Sequence, residues 1–310
     1  MWTLIVLSVI AMEPTQTAPI REASFATNPA PESSAPSPFT RPTRFSESSN
    51  FVVRSYLAQP RADEVARHCE TLCGQLHDAL LGEDESRVWQ PKCEVVLHPS
   101  RLSYRQAVGR GGGETVGSSA IRIRSGKIFQ RRIDLLAEDR DRALSALRHE
   151  MIHVLFAELF PENAPPRWAE EGLALLHDSE DKQVRHLDDL RQAVETRTTI
   201  PMNRLFATAE YPTGWQRAVF YGQSMSVVEY LMQLSTPDQF VRFVQLGLEE
   251  NHETALQAVY RIDGLDEFER GWHKHALASV NRDEDPLLNR ADLLGASGLI
   301  TFGISPAVTN

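Results

Sequence analysis

Basic residues, thiols and long apolar runs are all scarce in this 310-residue chain, and each shortage excludes something. The formal net charge is −10, so there is no surplus of cations to line a phosphate-binding face, and nucleic acid is excluded as the main partner. Three cysteines are too few for a disulfide framework. Cys69 and Cys73 stand one helical turn apart and Cys93 opens an apolar run, which is poor zinc spacing even with His68 and His77 nearby. Buried thiols, or one helix-to-strand disulfide, are the expectation. The apolar run Trp2–Met12 is of signal-peptide length and too short to cross a bilayer. It lacks preceding Lys or Arg, and no cysteine follows it, which argues against a lipoprotein anchor. Val9-Ile10-Ala11 reads as a small-residue cleavage site, with Gln16-Thr17-Ala18 as a second choice. Export to the cell envelope or periplasm is therefore expected, with cytoplasmic residence as the alternative. The glycine run GRGGGETVG (Gly109–Gly117) has neither the spacing nor the Lys-Ser/Thr of a phosphate-binding loop. It reads as a mobile loop bordering a cleft.

What is present is an ordinary globular composition, 42% apolar and 24% charged, enough to bury a core. Residues 13–50 are rich in Pro, Ser, Thr and Ala, without the apolar pattern that could offset their conformational entropy. They are expected to form a disordered tether between a possible signal peptide (1–12) and a fold starting at Phe51. FVVRSY and CEVVLH read as strands flanking a helix over Ala62–Leu81, with a short helix at RLSYRQAVG. AIRIR and KIFQRRIDLL alternate with period two across Ser125-Gly126, a hairpin signal. From Asp139 the period becomes helical. One long helix runs to Phe160 and stops at Pro161, and a second opens at Pro166. Further helices are expected at about 181–195, 214–234, 237–248, 252–260 and 265–280, and residues 281–310 show no pattern. The class is α+β. A small, largely antiparallel sheet with helices (51–138) precedes an active-site helix pair and a mostly helical half (139–280).

The chemistry concentrates in LRHEMIHVLF. On a helix, residues four apart share a face, so His149 and His153 can both reach one ion, with Glu150 beside them as a general base. Leu147, Met151, Ile152, Leu155 and Leu159 draw the helix inward, and buried imidazoles need partners. A catalytic zinc site takes three protein ligands and an open position. The first helix climbs about 10 Å from His153 to Phe160, and the second descends about 7 Å to Glu171, at about 1.5 Å per residue. That return brings Glu171 level with the histidines as the third ligand. Gly172 is expected to admit close contact between these two helices, and Glu170, about 100° round, to face elsewhere. Asp178 is a candidate to orient a ligand histidine. His177 reads as structural.

HEMIH followed by WAEEGLA resembles the gluzincin metallopeptidases, whose pattern is HExxH and then a glutamate in a Trp-x-x-Glu-Gly-x-Ala context. The smaller peptidase MA-like bacterial proteins are the nearest in kind. The resemblance is strongest over about residues 131–176 and weaker over FYGQSMSVVEYLMQL and LDEFERGWHKH. The spacing from His153 to Glu171 is one residue tighter than in the aminopeptidases of that group. The resemblance implies a zincin-like fold, one Zn2+ on His149, His153 and Glu171, and Glu150 as base. It also implies a tyrosine or histidine from the following helices as oxyanion donor, for which Tyr221 is the first candidate and Tyr211 and Tyr230 the runners-up. The partner it implies is an extended peptide or protein substrate, paired along an edge strand. KIFQRRIDLL is the expected edge, with at most one of Arg131 and Arg132 facing the cleft and either more commonly a solvated surface group. A non-catalytic peptide-binding module and a metal-dependent amidohydrolase acting on a non-peptide amide are the rival readings.

Overall fold

The computed structural model describes residues 3–8, 44–57, 61–81, 88–109 and 115–280, with only the backbone given for 3–8. Most of the expected tether, part of the glycine run and the C-terminal tail lie outside the described residues.

The architecture is α+β. Six strands form one mixed sheet: β1 (Thr3–Ser8), β2 (Arg44–Glu47), β3 (Phe51–Ser55), β4 (Cys93–His98), β5 (Gly117–Arg124) and β6 (Lys127–Leu136), in the spatial order β1-β5-β6-β4-β3-β2. The central pairs β3-β4 and β4-β6 are parallel and the outer pairs antiparallel. Parallel neighbours need a crossover rather than a hairpin. Helix α1 (Ala62–Leu81) supplies it between β3 and β4, and α2 (Arg101–Val108) with β5 supplies it between β4 and β6. The β5–β6 hairpin turns at Ser125 and Gly126, both at positive φ (51° and 68°), as a two-residue turn of the right twist requires.

Alternation along the strands divides the sheet into two faces. Phe51, Val53, Val95, Leu97, Ile133 and Leu135 are buried on one face. On the other, Arg54 pairs with Glu94, and Arg132 with Glu94 and Asp134. The α1 stripe of Val65, Cys69, Leu72, Cys73, Leu76 and Leu80 packs into the core at helical spacing. All three thiols are buried and free, and burial pushes Cys73 up to about 12, so they are core residues and not thiolate ligands.

Two strand assignments differ from the sequence reading. Strand structure precedes Phe51, because β2 (Arg44–Glu47) pairs with β3 and Thr3–Ser8 pairs with β5. KIFQRRIDLL is not an edge: β6 lies between β5 and β4. Its arginines serve the fold. Arg131 is buried, donates to the Pro91 carbonyl (2.8 Å) and lies 5.0 Å over the Trp89 ring.

The second half contains α3 (Arg140–Leu159), α4 (Arg167–Leu176), α5 (Glu180–Thr196), α6 (Met202–Phe206), α7 (Gln216–Leu234), α8 (Pro237–Glu249), α9 (His252–Tyr260) and α10 (Leu265–Val280). Asp139 caps α3 by accepting from the amides of Asp141 and Arg142. Pro161 follows its last residues, where the chain cannot stay helical. From Leu147 to Ala157 nearly every side chain of α3 is buried, so it is a central rather than an amphipathic helix. No helix among the described residues is long and apolar enough to cross a membrane.

Gly172 has a different role from the expected one. It admits α7 rather than α3: a Cβ there would meet the Ser224 carbonyl oxygen at 2.4 Å and Val228 Cγ2 at 2.6 Å. A backbone oxygen cannot swing aside. Gly172→Ala should therefore cost about 2–3 kcal/mol, as overpacking of a tight contact does, seen as a lowered urea midpoint at unchanged m-value. An unchanged midpoint would show that the α4–α7 crossing is not held at this distance.

Candidate metal centre

His149 and His153 lie side by side on α3, their ring centroids 4.9 Å apart and both buried. Helix α4 returns beside them and presents Glu171. Its Oε2 is 3.9 Å from His149 Nε2 and its Oε1 is 3.9 Å from His153 Nε2. One donor atom from each of the three residues lies within 4.8 Å of the others. Atoms bound to one ion at about 2.1 Å can be no more than about 4.2 Å apart. The two carboxylate–imidazole separations meet that limit through different Glu171 oxygens, and with one atom per residue the set spans up to 4.8 Å, which a small inward shift of the side chains would close.

Four atoms here lack hydrogen-bond partners. Nε2 of both histidines, Oε2 of Glu171 and Oε2 of Glu150 are buried without one. An unsatisfied buried polar atom costs about 1–3 kcal/mol, so a cluster of them calls for a ligand. Two imidazoles and one carboxylate are the donor types of a divalent cation such as zinc. The residues present therefore fit a metal ion.

The outer nitrogens of both rings face acids. Asp178 Oδ2 lies 3.0 Å from His149 Nδ1, as expected for an orienting carboxylate. Glu170 Oε1 lies 3.0 Å from His153 Nδ1, so it does not face elsewhere. Both contacts are close in distance and off the ideal hydrogen-bond direction. The helix wheel failed for Glu170 because α4 runs along His153. One ring meets Glu171 at Nε2 and Glu170 at Nδ1, and a long side chain spans the difference. Each acid then holds a cation at helical spacing. Lys182 Nζ is 2.9 Å from Asp178, and Arg167 Nη1 is 3.0 Å from Glu170. The i,i+4 and i,i+3 offsets were the available signal for these two residues.

Glu150 is buried against the sheet. A Cβ on Gly117 would stand 2.9 Å from its Cγ, so the start of β5 has to be glycine here. Burial raises the Glu150 carboxyl above its ordinary value, outweighing the nearby imidazoles of His153 and His149. Of the three tyrosines, Tyr211 touches the centre: its phenol donates to Glu171 Oε1. Tyr221 stands one ring behind, 6.2 Å from Tyr211 between centroids. Tyr230 packs on Phe268 and His275, away from the triad. His177 is not in the ligand cluster, and burial and Arg148 hold its pKa down to about 4.

Burial alone would lower the pKa of His153, but Glu170, with Glu171 and Glu150, raises it to about 9 in the metal-free protein. The folded value lies above the ordinary 6.5. The proton therefore stabilises the metal-free fold fully below about pH 6.5, and that contribution disappears as pH rises through about 9. A metal must displace this proton. Its affinity should rise by about tenfold per pH unit between pH 6.5 and 8.5, read by competition with a chelator. A flat profile would show that His153 is already neutral. The chain matches no family model and no curated protein, so a functional reading rests on this geometry and on the motif resemblance.

Proposed function

We propose that the protein is a zinc-dependent peptidase of the gluzincin kind. The observation that carries the reading is the convergence of three buried residues, His149, His153 and Glu171, each with an atom (Nε2, Nε2 and Oε2) that no hydrogen bond satisfies, and with a second buried glutamate, Glu150, beside them. A zinc ion held there supplies Lewis acidity, polarising a carbonyl and lowering the pKa of a water. Glu150 takes the proton from the attacking water and passes it to the leaving amine. A carboxyl whose pKa is raised by burial holds a proton more readily between those two steps. Asp178 and Glu170 hold the histidine rings in the orientation that turns both Nε2 atoms inward.

We assign the oxyanion donor to Tyr211 rather than Tyr221, because its phenol already reaches the ligand carboxylate. The substrate is an extended polypeptide on the outer edge of β5, the strand that presses on Glu150. That edge accepts an antiparallel strand: Thr3–Ser8 pairs along it, Ser8 opposite Ser118. Export to the cell envelope remains part of this proposal, and removal of the apolar N-terminus there would free the edge.

Purified protein should bind about one equivalent of zinc; less than half an equivalent after reconstitution would sink the reading. Glu150→Gln should keep the metal and lower peptide hydrolysis by a factor of about 100 or more. Zinc binding without cleavage of any member of a broad peptide library would instead favour a non-catalytic module. Tyr211→Phe should lower kcat by about 100-fold, while Tyr221→Phe should change it severalfold at most; the reverse order would return the role to Tyr221.

A further inference from the structure

The two ligand histidines are held by chains of the same design. From His149 the contacts run to Asp178 and then to Lys182, at 3.0 and 2.9 Å. From His153 they run to Glu170 and then to Arg167, both at 3.0 Å. In each chain one carboxylate oxygen faces the imidazole and the other faces the cation. The acids are shut in, with side-chain exposures of 0% for Asp178 and 4% for Glu170, whereas Lys182 (26%) and Arg167 (21%) reach the surface. Ser145 adds a weaker bond to the same Asp178 oxygen as Lys182, at 3.3 Å. Arg167 also lies 5.3 Å over the ring of Tyr211, whose phenol holds Glu171. One guanidinium thus reaches two of the three ligands through intermediaries.

We propose that Lys182 and Arg167 are positioning residues for the metal, each fixing the carboxylate that orients one ligand histidine. The proposal rests on the metal-centre reading and not on peptide cleavage. The reason is geometric. A surface ion pair contributes little by itself, but a buried carboxylate without its cation is an uncompensated charge that must move or take up a proton. Either response releases the imidazole from its orientation, and that loss is set against the weaker repulsion of the metal once a cation is removed.

The test is zinc affinity of the full-length protein, measured by chelator competition at one pH for Lys182→Met, Lys182→Arg, Arg167→Met and Arg167→Lys. Affinity compares metal-free and metal-bound forms of the same variant, so a change in folding stability alone leaves it unmoved. The two methionine variants should bind zinc about 10–100-fold more weakly, the range for lost outer partners of a ligand histidine. Arg167→Met should show the larger loss, because it also releases Tyr211. Lys182→Arg should restore affinity to within about threefold of the unaltered protein. Arg167→Lys should restore it only in part, since an ammonium lacks the planar contact with the Tyr211 ring. Zinc binding by either methionine variant that is unchanged or tighter overturns the proposal for that chain. If the unaltered protein binds no zinc, both this proposal and the metal reading fall. If it binds zinc but cleaves nothing, only the peptidase reading falls.

Discussion

The constraint on which the rest depends is that α3 is buried on nearly every side and yet carries two imidazoles and a carboxylate. A central helix cannot turn such groups to water, so neighbouring elements must meet them. Helix α4 meets both ring edges of His153 with consecutive glutamates. The segment after α4 supplies Asp178 for His149. Strand β5 closes over Glu150 with a glycine, because no side chain fits between its backbone and the Glu150 methylene. Helix α7 in turn presses on α4 at Gly172. The sheet, the helix pair and the α7 layer are thus arranged around one set of polar atoms, and the hydrophobic contacts follow that arrangement.

Local chemistry made much of this legible in the sequence. Asp139 and Pro161 bound α3, the Ser125-Gly126 turn is an explicit hairpin signal, and the return through Pro161 and Pro166 brings Glu171 back by length alone. Asp178 as an orienting acid was also within reach. What escaped depends on three-dimensional neighbours. Strand order is one case: β6 directly precedes α3 in sequence, yet β5 and then β1 lie outside it in the sheet. Glu170 is another, since a wheel describes one helix against one plane and His153 offers nitrogens on two edges. Tyr211 lies between α6 and α7, where no periodicity indicates a direction. Gly172 showed that a close approach was needed, but not which helix would make it.

The centre is also crowded with acids. Glu150, Glu170, Glu171 and Asp178 surround two imidazoles in a buried region, and two of the four, Glu170 and Asp178, pair with surface cations. In the metal-free protein the raised pKa of His153 is the local answer, a proton held where its neighbours demand positive charge. A divalent ion answers the same demand more fully and also satisfies the unpartnered Nε2 atoms, which one proton cannot do for both rings. Burial, the surrounding acids and the orphaned atoms together make these side chains fit a cation.

A reacting group must also be able to arrive. The inward-facing atoms of the cluster are buried, and the strand that borders Glu150 is β5, whose outer side β1 covers. In β5, Ser118 pairs with Ser8 and Ile123 with Thr3, so the edge takes six residues of extended chain. At about 3.4 Å per residue that is roughly 20 Å of strand. The Ser125-Gly126 turn ends the edge on one side, and Gly117, against Glu150, ends it on the other. A compact small-molecule amide would use little of that length. An extended polypeptide would use all of it, with its backbone led past the buried acid at the glycine end. This match between edge length and acid position favours a peptide over a small amide as the substrate of the proposed reaction.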